Sequence, residues 1–332
     1  MSIDRFRHVH ISDLHFVANP FERGSKFRAR SWLAKSHSGD KASLLAESLL
    51  TLGEVDVLLA TGDLTTDGSA EALQTVRAYL RETKLAGTAN RRQTYPITAL
   101  GSVARTTLVV PGNHDRFGGS RMPTQRDSFG FNDIFGEDDL YPHVEYVGDY
   151  KRRPVVIFLV NSVPMPDLVE QFTIMRRPMR IAGGYVPLRA SATLRRLAIG
   201  CPPDAIKIVA LHHHPVRRPP SSSRTLGERV KRLVPTDQLK SLDGSDDFVA
   251  ACHEGGIRMV LFGHKHVAYR EAQVSAFGTV HFLCCPSTLQ YKTSHPRGYY
   301  EIVIANDQIV VTPYEDTGRA FEPLQPYEAI PI

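Results

Sequence analysis

A chain of 332 residues, 42% of them hydrophobic, can bury a full core, and it exceeds the usual single-domain length without requiring two domains. No run approaches the ~18 to 20 consecutive apolar residues of a membrane helix, and Met1 to Asp13 is too short and too charged for a secretion-signal core, so a cytoplasmic protein without membrane association is expected. The formal charge of +5 and pI near 9.0 favour anionic partners without naming one.

In chain order, short apolar runs rich in β-branched residues recur at Phe6–Ile11, Val55–Ala60, Thr106–Val110, Val155–Val160, Ile206–Leu211 and Ile257–Phe262. Their length suits buried strands, and each runs into Gly, Pro or polar residues. Between the early runs lie helical patterns. One covers Lys41–Leu52, with Asp40 as N-cap and Gly53 as stop; the other covers Ser69–Leu80, with Ala72, Leu73, Val76, Tyr79 and Leu80 on one face. Strands alternating with helices predict an α/β layered fold.

After Phe262 the pattern becomes hairpin-like, with strands expected around Val267–Ser275, Thr279–Cys285, Gly298–Ile304 and Gln308–Thr312 and a turn at Asn306–Asp307. The change predicts a second, more antiparallel sheet stacked on the first, making a sheet sandwich flanked by helices. Stretches near 16–39, 117–150 and 217–247, rich in Arg, Ser, Gly and Pro, read as insertions in a single domain spanning 1–332. Loops there would rim a site and select its substrate.

Basic residues crowd Arg176–Arg196 and Arg217–Arg232, with Tyr185 the one aromatic among them, so a solvated surface is expected over a nucleic-acid track. Cys201, Cys252, Cys284 and Cys285 form no C-x-x-C pair and are too sparse for a disulfide framework, which suits buried thiols in a reducing compartment.

Metal-ligand chemistry sits at the ends of the apolar runs: Asp13-Leu14-His15, Gly62-Asp63, Gly112-Asn113-His114-Asp115, His212-His213-His214-Pro215 and Gly263-His264-Lys265-His266. Residues two apart at an extended strand end point to one side, so Asp13 with His15, and His264 with His266, each make a two-toothed grip. Mixed carboxylate oxygen and imidazole nitrogen suit Mn, Fe, Zn, Ni or Co over Ca or Mg. Asp63 has two oxygens and can bridge two cations ~3.5 to 4 Å apart. An amide oxygen from Asn113 ligates without adding charge, which leaves the adjacent His114 to hydrogen-bond or protonate a leaving oxygen. A single D-x-H or H-x-H is usually incidental; five clusters in order, all at strand ends, are not.

These blocks resemble the signature of the calcineurin-like metallophosphoesterase family: D-x-H, G-D, G-N-H-D or G-N-H-E, a His in an H-x-P context, and G-H-x-H. The resemblance spans Asp13 to His266 and implies a four-layer αββα sandwich of two mixed β-sheets flanked by helices. It further implies two divalent metal ions, the first held by Asp13, His15, Asp63 and His266 and the second by Asp63, Asn113, His213 and His264. His213 is the choice among the three histidines because the family ligand lies two residues before the proline, which leaves His212 and His214 to packing or support.

The catalytic expectation is His114 with Asp63. Asn113, His114 and Arg116 are expected to meet the substrate, Asp115 to orient its own loop, and Asn161-Ser162 to bond loop backbone. The family's protein phosphatases carry an Asp three residues after the metal Asp. Here that place is Thr66, and the run Thr61–Gly68 resembles the bacterial cyclic-nucleotide phosphodiesterase branch more closely. The expected reaction is in-line attack on phosphorus by a metal-bridging hydroxide, and the expected substrate a cyclic nucleotide or related small phosphodiester. A phosphomonoesterase or protein phosphatase is the alternative, with a nuclease or a catalytically retired nucleotide-sensing module behind it.

Overall fold

The computed structural model describes residues 5–17, 22–23, 39–89, 93–117, 130–136, 142–163, 183–216, 242–289 and 295–332, with backbone only for 22–23, 39–40, 87–89 and 93–95. The first half runs β1 (Arg5–Ile11), β2 (Glu22–Arg23), α1 (Gly39–Thr51), β3 (Val55–Thr61), α2 (Ala70–Arg81), β4 (Lys84–Ala89), β5 (Gln93–Thr98), β6 (Ala104–Val110), α3 (Asn113–Phe117), α4 (Gly130–Phe135), β7 (His143–Tyr150) and β8 (Arg153–Leu159). The second half runs α5 (Leu188–Gly200), β9 (Ile206–Ala210), α6 (Ser245–Glu254), β10 (Met259–Phe262), β11 (Tyr269–Ser275), β12 (Gly278–Cys284), β13 (Gly298–Ala305), β14 (Gln308–Asp316), β15 (Phe321–Pro323) and β16 (Ile330–Pro331).

Two large mixed sheets form. One has the order β15-β14-β13-β1-β3-β6, with β16 on β14; the other has the order β11-β12-β10-β9-β8-β7. In the first, β1, β3 and β6 are parallel and β13 joins β1 antiparallel. In the second, β12, β10, β9 and β8 are parallel, with antiparallel edges β11 and β7.

The strands alternate with period 2, and that alternation stacks the layers. Val57 and Leu59 of β3 meet Ile157, Ile208 and Leu261 in a core between the sheets, while Leu58 and Ala60 turn outward to pack with Leu45 and Leu49 of α1 and Leu73 and Val76 of α2. Val156 and Phe158 of β8 face the opposite way, against Leu194 of α5 and Phe248 of α6. Three apolar interfaces thus separate four layers, helix, sheet, sheet and helix, as expected of the αββα sandwich.

Helix α2 buries the five predicted apolar positions and starts where Ser69 caps the Ala72 amide. Helix α1 starts two residues earlier than the pattern predicts, so Asp40 lies inside the first turn instead of capping it; Gly53 follows the helix at φ +78°.

Two expectations about the sheets are corrected. The hairpins after Phe262 do not build a separate sheet: β11 and β12 join the second sheet and β13 and β14 join the first, each extending a parallel centre laid down earlier. A third sheet, β2-β4-β5, was not anticipated, because Lys84–Thr98 mixes Gly, Pro and charged residues and carries no apolar run.

The expected insertions near 16–39 and 217–247 lie largely outside the described residues, as does the cluster Arg217–Arg232. Within 117–150, however, β7 is an edge strand of the second sheet and Phe131 and Phe135 of α4 enter the core, so that stretch is partly scaffold. The four cysteines are free and buried. Among the described residues no helix is long and apolar enough to cross a membrane.

Candidate metal centre

Parallel strands end at one edge of each sheet, and all five motifs follow those ends. The side chains meet in two groups, Asp13, His15, Asp63 and His266, and His212, His213 and His264, each with ligand atoms within 4.8 Å of one another. Asp63 stands between them: Oδ2 is 3.8 Å from His15 Nε2, while Oδ1 is 3.4 Å from His212 Nε2 and accepts the His114 amide at 2.9 Å. His266 Nε2 lies 3.0 Å from Asp13 Oδ1.

The backbone that presents these groups is not the extended strand end expected for D-x-H and H-x-H. Asp13, His15, Asp63, His264 and His266 have φ of 54°, 52°, 48°, 74° and 55°, the left-handed region that costs a non-glycine residue of order 1 to 3 kcal/mol. Each chain leaves its strand and turns, and the turn, not the pleat, aims the side chains. Neighbouring loops hold them there: the Asp13 amide donates to Gly62 O, the His15 amide to Asp63 O, and the His264 amide to Asp13 Oδ2.

Close approach is what the motif glycines permit. A Cβ on Gly112 would sit 2.0 Å from the Asp63 amide, and one on Gly263 would sit 1.8 Å from Ser12 Oγ. Asp115 joins two motifs, accepting from the amides of Gly112, Leu64 and Thr65 and from Thr65 Oγ1. Burial first, then Asp63, raises its pKa to about 6 against those donors.

Protonation states follow from burial and the two carboxylates. Burial alone would raise Asp63, but the facing imidazoles, His212 foremost, hold it well below the usual range. Burial drives His15 down to about 3 and His264 well below its ordinary value, leaving both rings neutral with lone pairs to offer. Burial opposes charge on His212 too, yet Asp63 outweighs it and lifts the pKa to about 9. A cation binding here would displace that proton.

The donor set fits a divalent cation. His15 Nε2 lies 3.4 Å from His266 Nε2 and His264 Nδ1 lies 3.2 Å from His212 Nε2, so imidazole nitrogens and carboxylate oxygens converge, the mixed donors that suit such an ion.

His212 was read from sequence as packing, but its Nδ1 meets Thr61 O at 2.8 Å and its Nε2 reaches Asn113 Oδ1 at 3.3 Å. His213 is beside it, Nδ1 on Ser162 Oγ at 2.9 Å, with its ring against the backbone of Gly184. His214 packs edge-on to Phe262. His114 is 26% exposed, its Nδ1 on the Thr66 carbonyl at 2.9 Å and its Nε2 4.0 Å from Asp63 Oδ2.

Arg116, expected to meet phosphate, is instead 2% exposed and bonded to Asn132 of α4 under Phe131, because α4 closes over it. Sequence reasoning also missed Ser12, Ser287 and Thr288, which lock the Asp13 loop: Ser12 Oγ donates to Asp13 Oδ2, Ser287 Oγ to Asp13 O, and the Thr288 amide to Ser12 O. Ser287 and Thr288 follow β12 just as the motifs follow their strands, and that was the available signal.

The sequence profile of calcineurin-like phosphoesterases matches residues 6–268, so the chain belongs to that family. Membership makes it a metal-dependent phosphoester hydrolase in class. No curated protein sequence matches the chain. Among solved structures, it is similar to a Vps29 mutant from Entamoeba histolytica (11% identity, 98% of this chain and 99% of that one, TM-score 0.40). It is also similar to a predicted phosphoesterase from Streptococcus pneumoniae (12%, 98% and 99%, 0.37) and to the NAD nucleotidase NadN of Haemophilus influenzae (10%, 98% and 50%, 0.41).

Proposed function

We propose that the protein is a dinuclear metal-dependent phosphodiesterase acting on small phosphodiesters, cyclic nucleotides foremost. The position of Asp63 carries the reading, one oxygen turned to each ligand group. Asp13, His15, Asp63 and His266 would hold one cation; Asp63, Asn113, His213 and His264 the other, with His212 added to that set by its contacts. Divalent ions bound there lower the pKa of water and neutralise charge on phosphoryl oxygens.

The chain's own part is placement. With Nδ1–H given to the Thr66 carbonyl, His114 turns Nε2 toward the mouth of the site, where a phosphoryl or leaving oxygen would meet it. Thr66 stands where the family's protein phosphatases have a carboxylate, so His114 is steadied by a neutral oxygen, which favours the diesterase reading over the protein-phosphatase one. Buried free thiols support a reducing cytoplasm.

The test compares bis(p-nitrophenyl) phosphate with p-nitrophenyl phosphate on metal-loaded protein. A higher kcat/KM for the diester is expected; faster monoester turnover would overturn the diesterase assignment, and no turnover of either would overturn catalysis.

A further inference from the structure

The second sheet has a basic cavity at the end opposite the metal centre. It is about 140 Å3 and is lined by Arg153 at the start of β8, Lys207 on β9, Arg258 before β10, and His253 and Phe277. Lys207 lies at the start of β9 and His212 two residues beyond its end at Ala210, so the cavity and the metal centre occupy opposite ends of the same strands.

Among the described residues its cations lack counter-charges. Arg153 Nε donates to the Asp204 carbonyl and Lys207 Nζ to the Gly255 carbonyl, both neutral acceptors. Among the described residues no carboxylate oxygen pairs with Arg153, Lys207 or Arg258. The foot of the first sheet differs: there Arg7 meets Glu301 at 3.0 Å, and Arg105 meets Glu54 at 2.9 Å and Asp56 at 3.3 Å. Lys207 is only 7% exposed, a poor place for an ammonium. Burial first, and Arg258 after it, lower the pKa of Lys207; burial, Arg270 and Arg258 likewise lower that of nearby His281. Neighbouring positive charge thus adds to burial at both Lys207 and His281.

We propose that this cavity is a second anion site, independent of metal, that takes a phosphate group. Two guanidinium forks and an ammonium suit a phosphate dianion. The cavity has room for a phosphate group. Phe277, 65% exposed on the lining, offers a ring on which the body of a nucleotide would lie outside the cavity.

The experiment is calorimetric titration of chelator-treated full-length protein at low ionic strength with inorganic phosphate and, separately, with adenosine monophosphate. Saturable binding of one phosphate per chain is expected, weakened at least tenfold in Arg153→Gln/Arg258→Gln and in Lys207→Met, with circular dichroism and diester turnover of the reloaded variants unchanged. Nucleotide binding tighter than phosphate, with the difference removed by Phe277→Ala, identifies a nucleotide ligand; equal affinities identify free phosphate. Binding absent from the wild type, or within twofold of wild type in both basic-site variants, would overturn the site.

Discussion

His114 and the adjacent histidines 212 and 213 divide the residue-scale chemistry by what each ring nitrogen touches. His114 bonds a carbonyl and remains partly exposed, so His114→Ala should lower kcat by ~10²- to 10⁴-fold while elemental analysis finds wild-type metal content. His212→Ala should lower the metal content found by elemental analysis, since its Nε2 faces Asp63, Asn113 and His264; wild-type metal content would return the role to His213 alone.

A fourth histidine tests pH dependence away from the site. His8 is fully buried, neither ring nitrogen has a hydrogen-bond partner among the described residues, and burial depresses its pKa to about 3. The unfolded chain, at the ordinary value of 6.5, therefore binds a proton that the folded chain refuses, so stability is present above pH 6.5 and falls as pH drops toward 3, by up to ~1.4 kcal/mol per pH unit. In urea denaturation His8→Leu should gain on the wild type between pH 6.5 and 4. A gap that stays constant over that range would mean that His8 accepts its proton without penalty.

At the scale of elements, periodic patterns were legible and loop conformations were not. Helix α2 was readable to within one residue at each end because its five apolar positions repeat locally, whereas the Ser69 cap shows only in the structure. Ser69→Ala should cost about 1 kcal/mol in thermal unfolding without changing turnover. The D-x-H and H-x-H turns were misread as strand ends because their positive φ is imposed by the neighbouring loop, through contacts such as His264 N to Asp13 Oδ2.

Glycines separate local from tertiary constraint in the same way. Gly112→Ala drives a Cβ into the Asp63 backbone and should abolish metal binding or folding. Gly200→Ala, at the end of α5 with open space around it, should be neutral or stabilise by ~0.5 to 1 kcal/mol in the same melting assay.

For the whole molecule, the metal centre ties two sheets together at one edge. Asp13, His15 and Asp63 come from the first sheet, and His212, His213, His264 and His266 from the second. Cations that bind only this folded arrangement should stabilise it by ~2.7 kcal/mol per site at a hundredfold excess over Kd. Chelation should therefore lower Tm and re-addition restore it, whereas Asp63→Asn should melt at one temperature with or without chelator. A chelator-sensitive Tm in that variant would place the stabilising ion elsewhere.

The sequence by itself determined the layer type, most strands, helix α2 and the motif blocks whose side chains cluster, because hydrophobic periodicity and strand-end chemistry are written in neighbouring residues. It missed the partition of the hairpins between the two sheets, the small third sheet, the contacts of His212 and the burial of Arg116. Each of those depends on partners distant in the chain, β13 against β1, His212 against Asp63 and Arg116 against Asn132, and no local pattern records which distant surface a segment will meet.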